Sequence, residues 1–295
     1  MLTPNFYLPL KILLAVDGSP HAAAALSLVT HITWPAHTKI HVQAIVPESL
    51  PQMDAVTETR SQADETREIQ RWRDWATAKI LTGDVAEQLQ AHHLTVETDI
   101  CQGEPAQVIL QQAVELKIDL LVAGAKGLAA LDEARLGSTA SKLALNAPNS
   151  VLLARPSTHI HPLNTILAID SSSVAWQALG FLCGLSLPDW ARVTLVSVVE
   201  EGGGRSRAGR PPVIPAPPNR YTTKALACLH DCGAQAQFIL RYGYPADEIL
   251  AIAQERAADL IVIGARRPAP GKPVCLDEVA RQVTSQASCS VLVVR

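Results

Sequence analysis

Aromatic residues are scarce. Phe, Tyr and Trp make up 4% of the 295 residues, too few for the stacking platforms of a protein that binds single-stranded nucleic acid. Excess positive charge is missing too: Lys+Arg is 25 against Asp+Glu 28, a net charge of −3. Such a chain has no bulk field for a phosphate backbone or an anionic bilayer, so neither is an expected partner. No apolar run approaches about 18 residues, which excludes a helical membrane span. The stretch Phe6 to Val16 is broken by Lys11, lacks a basic leader and runs into Asp17-Gly18-Ser19. It reads as a buried strand rather than a signal peptide. The six cysteines, at 101, 183, 228, 232, 275 and 289, form no C-x-x-C. They are expected to be reduced thiols in a cytoplasmic chain. Cys228 and Cys232, four apart, lack the further ligands of a zinc site and read as helix packing. What the chain does have, 48% hydrophobic and 18% charged residues, suits ordinary globular folding, and its length suits two domains.

The sequence contains itself twice. Lys11-Ile-Leu-Leu-Ala-Val-Asp17-Gly-Ser19 recurs as Asn164-Thr-Ile-Leu-Ala-Ile-Asp170-Ser-Ser172, at an offset of 153. Lys39 to Val46 and Arg192 to Val199 keep that offset. Gly103-Glu-Pro105-Ala106 then matches Gly243-Tyr-Pro245-Ala246 at 140, as do Asp119 to Gly124 with Asp259 to Gly264 and Ser150 to Ala154 with Ser290 to Val294. The order is collinear, so the second copy lacks thirteen residues between its second and third strands. The duplicated domains are expected at 1–155 and 164–295. Pro156 and Pro162 bracket the join, and His159-Ile-His161 inside it reads as linker rather than as a metal pair.

Within the first copy, strands are expected near 11–17, 39–46, 94–100, 119–125 and 150–155, with helices near 19–32, 59–91, 104–116 and 137–146. Pro105 and Pro245 suit first-turn helix positions, where the missing N–H costs nothing. Uninterrupted apolar runs such as Asp119-Leu-Leu-Val-Ala point to strands buried on both faces of a parallel sheet. The fold class is therefore α/β, two tandem doubly wound open parallel five-stranded sheets of Rossmann-like form. The copies differ where 59–91 forms a long amphipathic helix carrying Trp72 and Trp75. The second copy instead has a Gly-, Pro- and Arg-rich stretch from Glu201, then a short helix near 221–232. Arg205, Arg207 and Arg210 there read as a solvated loop.

Chemistry enters after the fourth strand. Gly124-Ala-Lys126-Gly127 is followed by nine residues and then Gly137-Ser138-Thr139, the pattern G-x2-G-x9-G-S. In a doubly wound fold the ligand crevice lies beyond the carboxyl ends of the strands, where Asp17 and Gly124 both end theirs. Glycines let backbone approach phosphates, and the helix opening at Gly137 offers free N–H groups and the positive end of its dipole. The alternative is that the glycines only turn the chain and Ser138 only caps the helix. Lys126, between the two glycines, either reaches a phosphate or points to solvent.

At these residues the chain resembles a tandem universal stress protein, with two UspA-like domains covering nearly all of its length. That family's nucleotide-binding branch carries G-x2-G-x9-G-(S/T) with an aspartate ending the first strand. The resemblance implies a stress-response protein that binds an adenine nucleotide, usually ATP, with Mg²⁺ as an accompanying ion and Asp17 as its one candidate ligand. It places Asp17 and Ala15 at the adenine or ribose end, Ile45 where its backbone offers hydrogen bonds to the base, and Gly124, Gly127, Gly137, Ser138 and Thr139 at ribose and phosphates. It also implies that the apolar fifth strands pair with each other as an intramolecular pseudo-dimer, leaving a further homodimer open.

The second copy departs from the pattern. Gly127, Gly137 and Ser138 map onto Arg267, Asp277 and Glu278. Two carboxylates stand where phosphates would dock, and prolines 268, 270 and 273 stiffen the loop. Asp277 is expected to cap its own helix, with Glu278 complementing the dipole. Beside Arg266 and Arg267, these charges are expected to close that crevice. Three functions follow: a non-catalytic nucleotide-binding regulator, a slow ATPase or nucleotidyl-transfer enzyme, or a ligand-free interaction module. Against an enzyme, the sequence has no HIGH signature, no S-G-G-x-D-S and no G-x-x-x-x-G-K-[ST]; Gly271-Lys272-Pro273 is only a fragment of the last.

Overall fold

The computed structural model describes residues 9–46, 62–128, 136–157, 163–185, 191–200, 219–266 and 276–295. The readings at His159, His161, Arg205, Arg207, Arg210, Arg267, the three prolines after it, Gly271 to Pro273 and Cys275 lie outside these residues. The first copy runs β1 (Lys11–Val16), α1 (Pro20–His31), β2 (Lys39–Val46), α2 (Gln62–Ala91), β3 (Thr95–Gln102), α3 (Pro105–Glu115), β4 (Leu120–Gly124), α4 (Ser138–Asn146) and β5 (Ser150–Ala154). The second repeats it as β6 (Asn164–Ala168), α5 (Ser173–Gly184), β7 (Arg192–Val199), α6 (Arg220–Asp231), β8 (Gln235–Tyr242), α7 (Pro245–Glu255), β9 (Leu260–Gly264), α8 (Glu278–Gln286) and β10 (Ser290–Val294).

Local chemistry accounts for the helix starts. Ser19 and Ser172 accept from the amides of Ala22 and Ala175 as N-caps of α1 and α5, and Glu104 accepts from Gln107 to cap α3. Such a cap is worth roughly 1 kcal/mol. Pro105 and Pro245 are the first residues of their helices. Each copy also fastens its fourth strand to its first by one aspartate. Asp119 accepts from the Lys11 amide at 2.8 Å, and Asp259 accepts from the Asn164 amide at 2.9 Å.

The strands form one ten-stranded sheet, in the order β3-β2-β1-β4-β5-β10-β9-β6-β7-β8. Every pairing is parallel except β5 with β10, which is antiparallel, with Leu152 opposite Leu292. The two fifth strands thus cover each other's apolar edge, leaving β3 and β8 as the outer edges of the sheet. Helices α1, α2, α5 and α6 bury one face of the sheet and α3, α4, α7 and α8 the other. Both apolar layers run through both copies.

A reciprocal pair of arginines locks the seam, a feature that no residue pattern marks. Arg155 follows β5, and its guanidinium donates to the carbonyls of Cys289 and Thr284, at the end of α8 and the turn into β10. Arg295 follows β10 and donates in the same way to Asn149 and to Ala144, at the end of α4. The backbone amides of the two arginines bond Ser290 Oγ and Ser150 Oγ, at 3.0 and 3.2 Å. A cation at a helix C-terminus complements the dipole while satisfying carbonyls that would otherwise be buried bare. Burial pulls the Arg295 guanidinium down to about 10, still far above neutrality, so the lock stays charged.

The long helix α2 differs from its expected form. One face packs through Ala78, Val85 and Leu89, but a second apolar stripe, Ile69, Trp72 and Ile80, faces away from the sheet, with Trp72 72% exposed.

Candidate functional site

The carboxyl ends of β2, β1 and β4 lie side by side in the sheet, where the doubly wound fold places the crevice of the first copy. Asp17 directly follows β1. Its Oδ1 accepts from the Ser19 amide at 2.9 Å, fixing the turn into α1. Ser19 Oγ donates to the Lys126 carbonyl at 3.2 Å, tying that turn to the loop after β4. Gly127 lies against the other side of the aspartate: a Cβ built there would sit 2.9 Å from Asp17 Oδ2. The loop returns through Gly137, whose amide donates to the Ala125 carbonyl at 2.8 Å. Ala15, Asp17, Lys126, Gly127 and Gly137 are therefore gathered at one end of the sheet, where Ser138 and Thr139 open α4. Ile45, near the end of β2, lies on the same face as Ala15.

The glycines differ in what requires them. Gly124 faces α1, and an added Cβ would sit 2.8 to 2.9 Å from His21 Cβ and the Ala22 amide nitrogen. Its counterpart Gly264 is held by the same contact with α5. This glycine position is set by helix packing, which explains why it survives in both copies. Gly127 and Gly137 instead border the crevice. Lys126 is 8% exposed, so the alternative in which it points to solvent is excluded. Ser138 does not cap α4. Gly137 is the N-cap and, being glycine, has no side chain to offer the first amides of the helix.

The second copy makes the contrast. Asp277 Oδ1 accepts from the Ala280 amide at 2.9 Å, and Glu278 adds its charge in the first turn of α8. The capping role expected for Asp277 is present. Among the described residues the expected closure is not seen: a cavity of about 630 Å³ lies beneath. Its floor is Ala168, Val196 and Val198, with Ile249 and Ile263 among its walls and Asp170, Glu200, Arg266 and Asp277 around it. The carboxylates occupy the helix end without filling the space over the strands, because Asp277 turns back onto its own backbone.

His21 is a site residue that sequence reasoning missed. Its counterpart Val174 lines the second cavity, and its ring nitrogen Nδ1 lies 3.3 Å from the Ala154 carbonyl. Partial burial lowers its pKa below the ordinary histidine value; Lys126 and Arg155 push the same way, against the Ala154 carbonyl and Asp17. The only signal in the sequence was a histidine two residues past a capping serine. The folded state holds the proton less tightly than the unfolded one, so His21 costs stability as pH falls through 6.5 towards its folded value. We predict an NMR titration midpoint for His21 below 6.5, rising in Lys126→Met; an unmoved midpoint in that variant would remove Lys126 from the crevice's electrostatics. Among the described residues no three His, Cys, Asp or Glu side chains converge on a point that could hold a metal, and no helix is long and apolar enough to cross a membrane.

The donor set can hold an anion with a flat apolar neighbour. Uncapped amides, a buried lysine and two Cβ-free positions lie at one end, with Ala15 and Ile45 at the other. Comparison with known proteins agrees with this architecture. A universal stress protein from Thermus aquaticus is 34% identical over 151 residues, 49% of this chain and 97% of that one. Universal stress protein YxiE from Bacillus subtilis is 29% identical over 150 residues, 49% of this chain and 98% of that one. Among solved structures, a universal stress protein from Archaeoglobus fulgidus has the same fold across both copies, with a TM-score of 0.64 at 16% identity over 97% of this chain and 98% of that one. The sequence profile of the Universal stress protein family matches residues 10–155 and 163–295; the chain belongs to that family, in tandem form.

Proposed function

We propose that the first copy binds an adenine nucleotide, ATP, and that the protein acts as a non-catalytic nucleotide-dependent regulator in the stress response. The observation that carries this reading is the difference between two otherwise matching helix starts. Helix α4 begins at Gly137 with no side-chain cap, whereas α8 is capped by the carboxylate of Asp277. A phosphate at α4 meets free amides and the positive end of a dipole; at α8 it meets a carboxylate. Gly127 and Gly137 leave room for phosphate oxygens, Ser138 and Thr139 add hydroxyl donors, and Lys126 adds charge beside them. Ala15 and Ile45 would flank the base and Asp17 the ribose. If Mg²⁺ accompanies ATP, Asp17 is its candidate ligand.

Isothermal titration of the full chain with ATP tests the reading, with an expected stoichiometry of one per chain. Two equivalent sites, or none, would sink it. Gly127→Val should lower affinity about 100-fold, because a branched side chain would press on Asp17 and fill the space between the glycines. Unchanged affinity in a folded variant would restrict Gly127 to the turn.

A further inference from the structure

Gln43, on β2, is 2% exposed, and its amide oxygen Oε1 has no hydrogen-bond partner among the described residues. A buried acceptor left bare carries the full cost of its lost hydration, so this oxygen calls for a donor. Its orientation is fixed by hydrogen counting. Cys101 has a single S–H, directed at Asp99 Oδ2 at 3.3 Å. Burial, reinforced by Asp99, raises the Cys101 pKa and keeps the thiol protonated. The sulfur can therefore only accept from Gln43, whose Nε2 donates to it at 3.2 Å. The amide nitrogen is committed towards β3, and the oxygen is the end left over.

The position of Gln43 shows what that oxygen serves. It is opposite Ala15 in the β1–β2 register and two residues before Ile45, so all three lie on one face of the sheet. Their counterparts Ala168, Val196 and Val198 form the floor of the second cavity. Gln43 is thus the polar member of an otherwise apolar floor, and the second copy, with Val196 there, has no equivalent. We propose that Gln43 is a specificity-determining residue of the first crevice. Its Oε1 accepts a hydrogen bond from the exocyclic amine of the bound base and so selects a 6-amino purine over a 6-oxo purine. This rests on the nucleotide reading above and deepens it. A 6-oxo base would set its carbonyl oxygen against Oε1, leaving two acceptors face to face.

The test is titration of the full chain with ATP and with inosine triphosphate, which differs at the purine 6-position. The wild type is expected to prefer ATP by about 10- to 100-fold, the range that an unmet buried acceptor produces. In Gln43→Leu the preference should fall towards one, chiefly through a gain in affinity for inosine triphosphate. Gln43→Val copies the residue that this fold already carries at 196 and serves as the second variant. The wild-type ratio itself needs no variant. Equal binding of both nucleotides by the wild type, or a preference kept in both variants, overturns the role of Gln43 while the nucleotide reading stands. That result would mean that a water satisfies the oxygen. Failure of the wild type to bind either nucleotide overturns both.

Discussion

Replacing Gly264 by alanine should destabilise the second copy by about 3 kcal/mol, at the upper end of what overpacking usually costs. The methyl carbon would sit 2.2 Å from the Val174 carbonyl oxygen, 2.5 Å from its carbonyl carbon and 2.9 Å from the Ala175 amide nitrogen. All three are backbone atoms of the first turn of α5, so no rotamer change relieves the clash and the helix itself must move. Helix α5 is capped at that turn by Ser172 and buries Ala175, Ala178, Leu179 and Leu182 against the sheet, so moving it disturbs a whole packed face. Gly124→Ala should act in the same direction but less, since its contacts begin at 2.8 Å and one is with the side chain of His21. Urea denaturation of the two variants measures both. If Gly264→Ala unfolds at the wild-type midpoint, the approach of α5 to β9 is looser than described and glycine there has another cause.

The same pair shows where sequence reasoning stops. A glycine ending the fourth strand in both copies signals that something comes close, but the pattern alone does not say whether a helix or a ligand does. The strands were legible because both faces of the sheet are covered: runs such as Leu120 to Ala123 are apolar throughout, and their observed limits differ from the expected ones by a residue or two. The seam is legible only through the family resemblance, which implies that the two apolar fifth strands lie at sheet edges and pair with each other. Arg155 and Arg295 escaped notice because their partners are backbone carbonyls of the other copy, which no residue pattern marks. The open second crevice is not legible in the sequence because the charge of Asp277 and Glu278 at a helix start does not measure the space over the strands. Gln43 escaped for a third reason. A polar residue within a strand ordinarily faces water, and only the covering of both faces makes its oxygen a buried one.

The exchange that separates phosphate binding from simple helix capping is Gly137→Asp, which gives α4 the start that α8 already has. A Cβ at Gly137 would lie 3.2 Å from Lys126 Cα and 3.4 Å from the Ala125 carbonyl oxygen, a tight fit that needs a small shift. The residue's φ of −63° and ψ of 160° match the −60° and 161° of Asp277, so the backbone already suits a capping aspartate. Replacing a glycine cap by aspartate gains a few tenths of a kcal/mol, roughly offset by the crowding, and stability should change by less than about 1 kcal/mol. Binding should change far more. The new carboxylate takes the amide of Ala140, as Asp277 takes that of Ala280, and puts a negative charge where the phosphates would lie. The loss of one charge-assisted hydrogen bond, worth about 1.5–3 kcal/mol, together with like-charge repulsion, predicts an affinity for ATP at least 100-fold weaker. The reverse exchange, Asp277→Gly with Glu278→Ser, should give the second copy measurable affinity, because its cavity is already open. A Gly137→Asp variant that binds ATP as the wild type does would show that the start of α4 is not where phosphate sits. If the reverse exchange gains nothing while Gly137→Asp loses binding, the remaining departures of the second copy's loop, Arg267 in the place of Gly127 first among them, are what keep the nucleotide out.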